Sequence, residues 1–346
     1  MSDTATPPDP VTALKEIARL LERGGGEVRK AVAFRRAAEA LLALDPAQRA
    51  ARDRDRSWSD LPGIGATTAR VIAQASDGLV PDYLADMRAA AADFEAEAGP
   101  LLRALRGDLH AHTDASDGYA PLADMVAAAR DLGHEYLAVT DHSPHLTVAR
   151  GLDAGRLRAQ RAEIAALNLT VAPFRILSGI ETDILDDGAL DQEPALLAEL
   201  DVVVASVHSK LRMDADAMTR RLVAAVANPR TDVLGHVTGR LLTGGRGARP
   251  PSTFDADVVF EACRHFGVAL EINARPERLD PPDDLLSLAA EAGCLFAIDT
   301  DAHAPGQLEW ASHGVRKALA AGIEADRIVN TWPAERLLAW SATRRG

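Results

Sequence analysis

From residue 107 onward, short strand-like runs alternate with amphipathic helical runs, and nearly every strand-like run delivers a histidine or a carboxylate at or near its end. The strand-like runs are 108–113 (DLHAHT), 136–142 (YLAVTDH), 174–185 (FRILSGIETDIL), 201–209 (DVVVASVHS), 232–238 (DVLGHVT), 268–274 (VALEINA) and 294–303 (CLFAIDTDAH). Helical runs such as 121–133, 156–168, 214–228, 255–267 and 283–293 lie between them. Strands that alternate with helices predict an α/β fold with crossover connections and a parallel sheet closing as a barrel. In such a barrel the chemistry collects at the C-terminal ends of the strands.

The first run shows how ligands could be presented there. Side chains alternate along a strand, so Leu109 and Ala111 point one way while Asp108, His110 and His112 point the other. Two imidazoles facing one point form a grip for a divalent metal, and Asp117 on the following turn is close enough to add a carboxylate. His142 ends the second run and Glu181 lies in the third. His208 ends the fourth, His236 lies in the fifth, and Asp301 with His303 ends the seventh. So regular a placement is the signature of a metal site. His134, His145, His265 and His313 fall on helices or loops and are read as surface or core residues.

The two cysteines, Cys263 and Cys294, are far apart and suggest neither a disulfide framework nor a thiolate metal site. The net charge of −13 is uneven: residues 1–106 hold 15 Lys+Arg and 16 Asp+Glu, the remainder 23 and 35. Acidity of the second part argues against tight non-specific nucleic-acid binding there, although bound divalent cations would offset it locally. No apolar run approaches the length of a membrane span and the start lacks a signal peptide's pattern, so a cytoplasmic location without membrane attachment is expected. Residues 1–10 are expected to be a disordered tail.

Residues 11–98 read as a small all-α domain. Two amphipathic helices surround Gly24-Gly25-Gly26, and basic residues including Arg35 and Arg36 cluster between Arg29 and Arg56, either as a solvated helix face or as a nucleic-acid contact. The run Leu61-Pro62-Gly63-Ile64-Gly65-Ala66-Thr67 forms a tight turn ahead of a helix. Backbone N–H groups at that helix start suit a phosphate, which makes Gly63, Gly65 and Thr67, with Arg35 and Arg36, the candidate nucleic-acid contacts. With AFRRAAEALLAL before it and GLVPDYLADM after it, the segment resembles the N-terminal helix-hairpin-helix domain of family X DNA polymerases. Lyase-active members of that family carry a lysine in the helix after the glycine turn. Thr67, Thr68, Arg70 and Val71 stand there instead, so no Schiff-base lyase activity is carried over.

After a link at 98–106 a polymerase palm would follow, and none does. The motifs DLHAHTDASDG, AVTDHS, GIE, SVHS, LGH and DTDAH, in that order, resemble those of the polymerase and histidinol phosphatase (PHP) domain across 107 to about 322, in a domain taken as 107–346. The resemblance implies a distorted seven-stranded barrel holding two or three divalent ions, zinc, manganese or iron. It places one ion on His110, His112, Asp301 and Glu181, a second on Glu181, His208 and His236, and a third on Asp117, His142 and His303. Hydrolysis of a phosphoester follows, with Glu181 and Asp301 at the catalytic centre and Arg240 and Arg278 as candidate phosphate contacts. Lys210, Asn273 and Arg275 also follow strand-like runs, the fourth and the sixth, as cation or amide donors for a substrate phosphate. Asp141 and Asp183 either orient ligands or act as cap or surface carboxylates. The two domains together imply DNA as substrate, for 3'-5' exonuclease, 3'-phosphatase or abasic-site nicking chemistry. The alternative is a small phosphate ester such as histidinol phosphate. The sequence is silent on oligomeric state.

Overall fold

The computed structural model describes residues 7–24, 28–91, 99–243 and 247–344. The chain divides into two compact units, within residues 1–96 and 97–346. Residues 1–6 of the expected tail, Gly25, Gly26 and Ala98 lie outside the described residues.

The first unit is helical. Helix α1 (Pro10–Arg23) starts where Asp9 accepts the backbone N–H groups of Val11 at 2.9 Å and Thr12 at 3.2 Å, so the last residues of the expected tail are a helix cap. Leu14, Ile17 and Leu21 recur on one face of α1 and share a core with Phe34, Ala38 and Leu41 of α2 (Val28–Leu42). Helix α3 (Pro46–Asp55) opens with a capping box between Asp45 and Gln48. Val71 and Ile72 of α4 (Ala66–Ser76) and Leu84 of α5 (Asp82–Ala91) complete the core.

The second unit begins with a correction: Gly99–Ala104 of the expected link are a short helix, α6. Leu101 and Leu105 bury their side chains in the second unit's core, so this segment belongs to that unit. Seven parallel strands follow in sequence order, β1 (Gly107–Asp108), β2 (Tyr136–Val139), β3 (Arg175–Asp183), β4 (Val202–Ser206), β5 (Val233–Leu234), β6 (Ala269–Asn273) and β7 (Leu295–Asp299). The crossovers carry α7 (Leu122–Asp131), α8 (Ala154–Val171), α9 (Pro194–Leu197), α10 (Ala215–Ala227), α11 (Ala256–Phe266) and α12 (Asp283–Glu291). Helices α13 (Ala311–Ala320) and α14 (Ala334–Thr343) close the chain.

Alternation along the strands builds a two-layered interior. Leu137 and Val139 of β2 and Val203 and Ala205 of β4 pack outward under the helices. Tyr136, Ala138, Leu177, Val202, Val204, Val233, Ala269 and Ala297 share the opposite, inner core with Leu337 of α14. Continuing the same alternation toward the strand ends brings Glu181 and Asp183 of β3, Glu271 and Asn273 of β6, and Asp299 of β7 onto that inner face, all buried. The interior is therefore apolar at the strand starts and acidic at the strand ends.

β7 and β1 are joined by side chains more than by a ladder. The Asp299 carboxylate accepts the Leu109 N–H at 2.8 Å and the Asn330 amide at 2.9 Å. Asp108 accepts the N–H groups of His110 at 2.9 Å and Thr300 at 3.1 Å, and the Thr300 hydroxyl at 2.6 Å. Only Ala111 and Ala302 form a bridge beyond them. The first strand is accordingly shorter than expected, and His110 and His112 lie beyond its end, as His236 lies beyond β5. The three tryptophans of the tail are packing anchors: Trp310 and Trp332 are buried, and the Trp332 and Trp340 indoles donate to the carbonyls of Asp326 at 3.0 Å and Gly267 at 3.1 Å.

Candidate metal centre

All nine expected ligands meet at the strand ends. Glu181 is the hub. Its Oε2 lies 2.8 Å from His142 Nδ1, 3.4 Å from His110 Nε2 and 3.7 Å from His112 Nε2; its Oε1 lies 2.9 Å from His236 Nε2 and 3.2 Å from His208 Nε2. Asp301 Oδ1 lies 3.3 Å from His112 Nε2, and Asp117 Oδ1 lies 3.3 Å from His303 Nε2 and 3.5 Å from His142 Nε2.

Among the described residues, three sets each bring their ligand atoms within 4.8 Å of one another. They are His110, His112 and Asp301; His142, Glu181 and His208; and His112, Asp117, His142 and His303. These sets differ from the expected groups in three ways, the first being that Glu181 is not in the set of His110, His112 and Asp301, although it lies 3.4 Å from His110 Nε2. His112 joins the set around Asp117, and His142 stands with Glu181 and His208 where His236 was expected, although His236 also touches Glu181.

The chemistry of the donors fits divalent ions. His110 Nε2, both ring nitrogens of His112 and of His208, His236 Nδ1 and Glu181 Oε2 are buried without a hydrogen-bond partner. Burying that many bare polar atoms is costly unless a cation takes their lone pairs. Glu271, a residue the sequence reading missed, completes the logic for His110. It lies 2.6 Å from Nδ1, so an Nδ1–H donated to it leaves the Nε2 lone pair directed at the cluster. The His303 Nδ1 lies between the Asp301 carbonyl oxygen at 2.8 Å and Arg275 Nη1 at 3.1 Å, which fix the ring from that side. The alternation that put Glu181 on the inner face was the available signal for Glu271.

The field is strongly shaped. Burial alone would raise the Glu181 carboxyl, but His110, His208 and His142 hold it well below the usual carboxylate range. Burial would likewise raise Asp301, and Arg275, His112 and neighbouring histidines hold it well below. Burial would depress His208, but Glu181 and Asp183 lift it to about 9; Glu181 and Glu271 lift His110 well above the usual imidazole value against the same burial. His112 is pushed down to about 4 by burial and by His303 and His142. A site that draws protons onto two buried imidazoles in this way also attracts cations.

Neighbouring residues divide into those that hold ligands and those that face substrate. Asp141 accepts from the Thr113 N–H at 2.8 Å, the Thr113 hydroxyl at 2.6 Å and Gln160 at 2.5 Å, fixing the turn that carries Asp117. Asp183 accepts the His208 N–H at 3.1 Å, and half-exposed His145 sits 3.6 Å from its other oxygen. Arg278 Nε lies 3.2 Å from Asp301 Oδ2, and Arg275 Nη1 lies 3.6 Å from Asp301 Oδ1; both line a cavity of about 380 Å³ over the ligands. Asn273 donates inward to Glu271 at 3.2 Å. Lys210 is outside this cavity, in an exposed pair with Asp186.

Arg240 is a correction. Its guanidinium donates to the carbonyls of Arg278, at 2.9 Å, and Leu279, and it does not line the cavity. It staples the segment that presents Arg278.

In the first unit, Gly63 adopts φ +85°, a conformation open to glycine, and Gly65 caps α4. Gly63, Gly65 and Thr67 are exposed and line a cavity of about 340 Å³ with Lys30, Phe34 and Tyr83. Arg36 is exposed. Arg35 is a second correction: it makes a bidentate pair with buried Glu22, at 2.7 and 2.6 Å, between α1 and α2. That pair ties its guanidinium to the domain core.

Comparison with known proteins fits both units. A PHP domain matches residues 108–275 and a helix-hairpin-helix domain matches residues 6–77. The chain is 41% identical over 226 residues to the DNA polymerase/3'-5' exonuclease PolX of Bacillus subtilis (strain 168), a match covering 65% of this chain and 39% of that one. It therefore spans well under half of that relative's length. It is 27% identical over 236 residues to a protein named "probable phosphatase" of Thermoanaerobacter sp. (strain X514), covering 65% of this chain and 89% of that one. A crystal structure of histidinol phosphate phosphatase from Lactococcus lactis, complexed with zinc, L-histidinol and phosphate, aligns with a TM-score of 0.46 and 19% identity, covering 64% of this chain and 95% of that one. Among the described residues no helix is long and apolar enough to cross a membrane.

Proposed function

We propose, from the premise that this chain is a PHP-domain protein with a helix-hairpin-helix domain ahead of its barrel, that it is a metal-dependent phosphoester hydrolase acting on DNA ends. The observation that carries the hydrolase reading is the convergence of five imidazoles and three carboxylates in overlapping sets, with a sixth imidazole, His236, against Glu181, and with bare buried ring nitrogens among them. Divalent ions, when bound, lower the pKa of water and neutralise charge that develops on phosphoryl oxygens. Two or three such ions are proposed; the three overlapping sets of possible ligands support that reading, and the mixture of imidazole and carboxylate suits zinc, manganese or iron.

The remaining work falls to the chain's own residues. Glu181, held ionised by surrounding histidines, joins the ligand sets electrostatically, and Asp301 is held ionised by Arg275 and His112. Arg278 and Arg275, on the cavity wall, are placed to orient the phosphate's outer oxygens.

DNA is favoured over a small ester by the first unit, whose exposed glycine turn offers helix-start N–H groups to a backbone phosphate. The similarity to a polymerase/exonuclease supports the same reading. Similarity to a protein named as a phosphatase keeps a small phosphomonoester as the second reading. The test is incubation of the metal-loaded full chain with labelled single-stranded and gapped DNA, with and without 3'-phosphates, beside histidinol phosphate, and with Asp301→Ala as control. Shortening or dephosphorylation of DNA by the wild type alone supports the proposal. Turnover of only the small ester refutes the DNA part, and no turnover of either refutes the hydrolase.

A further inference from the structure

The wall of the cavity over the ligands is chemically two-sided. Among the described residues, loops after β5 and β6 supply its arginines, Arg249, Arg275 and Arg278, with Leu241, Thr243 and Glu277 between them, whereas loops after β1 and β2 supply Tyr119, Leu146 and Val148 and no arginine or lysine. In strand order β3 and β4 separate the two groups on one side and β7 on the other. Tyr119 is 50% exposed and Val148 80% exposed. A single apolar group in water needs no explanation, but these share a cavity with a phosphate-handling centre.

The apolar side is rigidly built. The Tyr119 N–H donates to the His303 carbonyl at 2.7 Å, and the Gly118 N–H donates to the Thr113 carbonyl at 2.9 Å. A Cβ at Gly118 would lie 2.6 Å from that carbonyl oxygen, so the turn closes tightly on itself. Arg150 donates to the carbonyls of Asp114 and Ser116, and Arg156 donates to those of Ala115, Arg150 and Gly151, stapling the two loops into one piece. A ring on such a base offers a stacking surface with little ordering to lose on binding.

We infer that Tyr119, flanked by Leu146 and Val148, is the subsite for the terminal nucleobase of the substrate, the base stacking on the ring while the phosphate takes the arginine side. This rests on the DNA reading above and adds the residue that distinguishes a nucleotide end from a baseless phosphate ester.

The test compares wild type, Tyr119→Ala and Tyr119→Phe on single-stranded oligonucleotides of equal length. Their 3'-terminal residue carries either 2-aminopurine or an abasic tetrahydrofuran. Tyr119→Ala is expected to cut the kcat/KM preference for the base-bearing end by about tenfold, through KM, and Tyr119→Phe to restore it. Independently, 2-aminopurine fluorescence should be quenched on binding to chelator-treated wild type and Tyr119→Phe, and less quenched with Tyr119→Ala. Equal changes on both ends, or an unchanged preference and unchanged quench, overturn the subsite while the DNA reading stands. A wild type that neither shortens these oligonucleotides nor dephosphorylates their 3'-phosphorylated forms overturns the subsite, and the DNA reading falls with it if gapped DNA is also untouched.

Discussion

Glu271 Oε1 lies 2.6 Å from His110 Nδ1, two fully buried groups that meet across the barrel interior from β6 and the segment after β1. The same carboxylate accepts the His236 N–H at 2.5 Å, so one side chain orients two ligands. Glu271→Gln keeps the shape but weakens the hold on the His110 ring. Divalent-metal affinity should fall roughly 10- to 100-fold. Competition against a chelating dye measures this directly, and an unchanged affinity would show that His110 needs no such support.

The two arginines that sequence reasoning treated alike should behave differently. Arg278→Ala should lower kcat/KM by roughly 10- to 100-fold with little loss of melting temperature, since the side chain faces the cavity. Arg240→Ala removes a staple across Arg278 and Leu279 and should cost about 1–3 kcal/mol of stability. Thermal melts beside steady-state kinetics separate them; matching profiles for the two variants would count against the assignment.

The barrel and its ligands were legible because strand ends carry chemistry in a fixed order, from His110 to His303. What escaped were groups whose role depends on a partner distant in sequence. Glu271 reads as an ordinary strand carboxylate until His110 is placed beside it. Asp299 shares its run with the ligand candidates Asp301 and His303, yet its carboxylate closes the seam with Leu109. Arg35 and Arg240 failed for the opposite reason: sequence shows a charge without showing that Glu22 or a carbonyl has already claimed it.

For the first unit, Arg35→Ala takes from buried Glu22 its bidentate partner and should destabilise that unit by about 2–3 kcal/mol. Arg36→Ala, at an exposed position, should leave stability alone and, if it contacts a DNA phosphate, reduce the salt dependence of binding by about one counterion. Chemical denaturation and binding titrations across salt concentrations read the two effects separately. A stable Arg35→Ala would contradict the structural role.

Acidification should also be felt away from the metal centre. Burial holds the His134 imidazole down at about 4, and its Nδ1 has no hydrogen-bond partner. Its folded value lies below the unfolded one near 6.5. Its contribution is therefore complete above about pH 6.5 and is lost as pH falls through about 4. Discounted for the ring's partial exposure, this amounts to about 1–2 kcal/mol. Urea unfolding of wild type and His134→Gln at several pH values tests it: wild type should lose stability relative to the variant between about pH 6.5 and pH 4, and a constant difference would refute it.

Asp301 sits at φ +52°, in the left-handed region that few side chains other than asparagine and aspartate enter cheaply. Its carboxylate meanwhile lies beside His112, Arg275 and Arg278. Backbone and chemistry thus restrict this position by unrelated means. Saturation mutagenesis should find two separate hierarchies there: asparagine and glycine spared for folding, β-branched residues rejected, and only aspartate retained for turnover. At such a position an inactive protein can be a perfectly folded one, which makes Asp301→Asn the natural trap for holding substrate without consuming it.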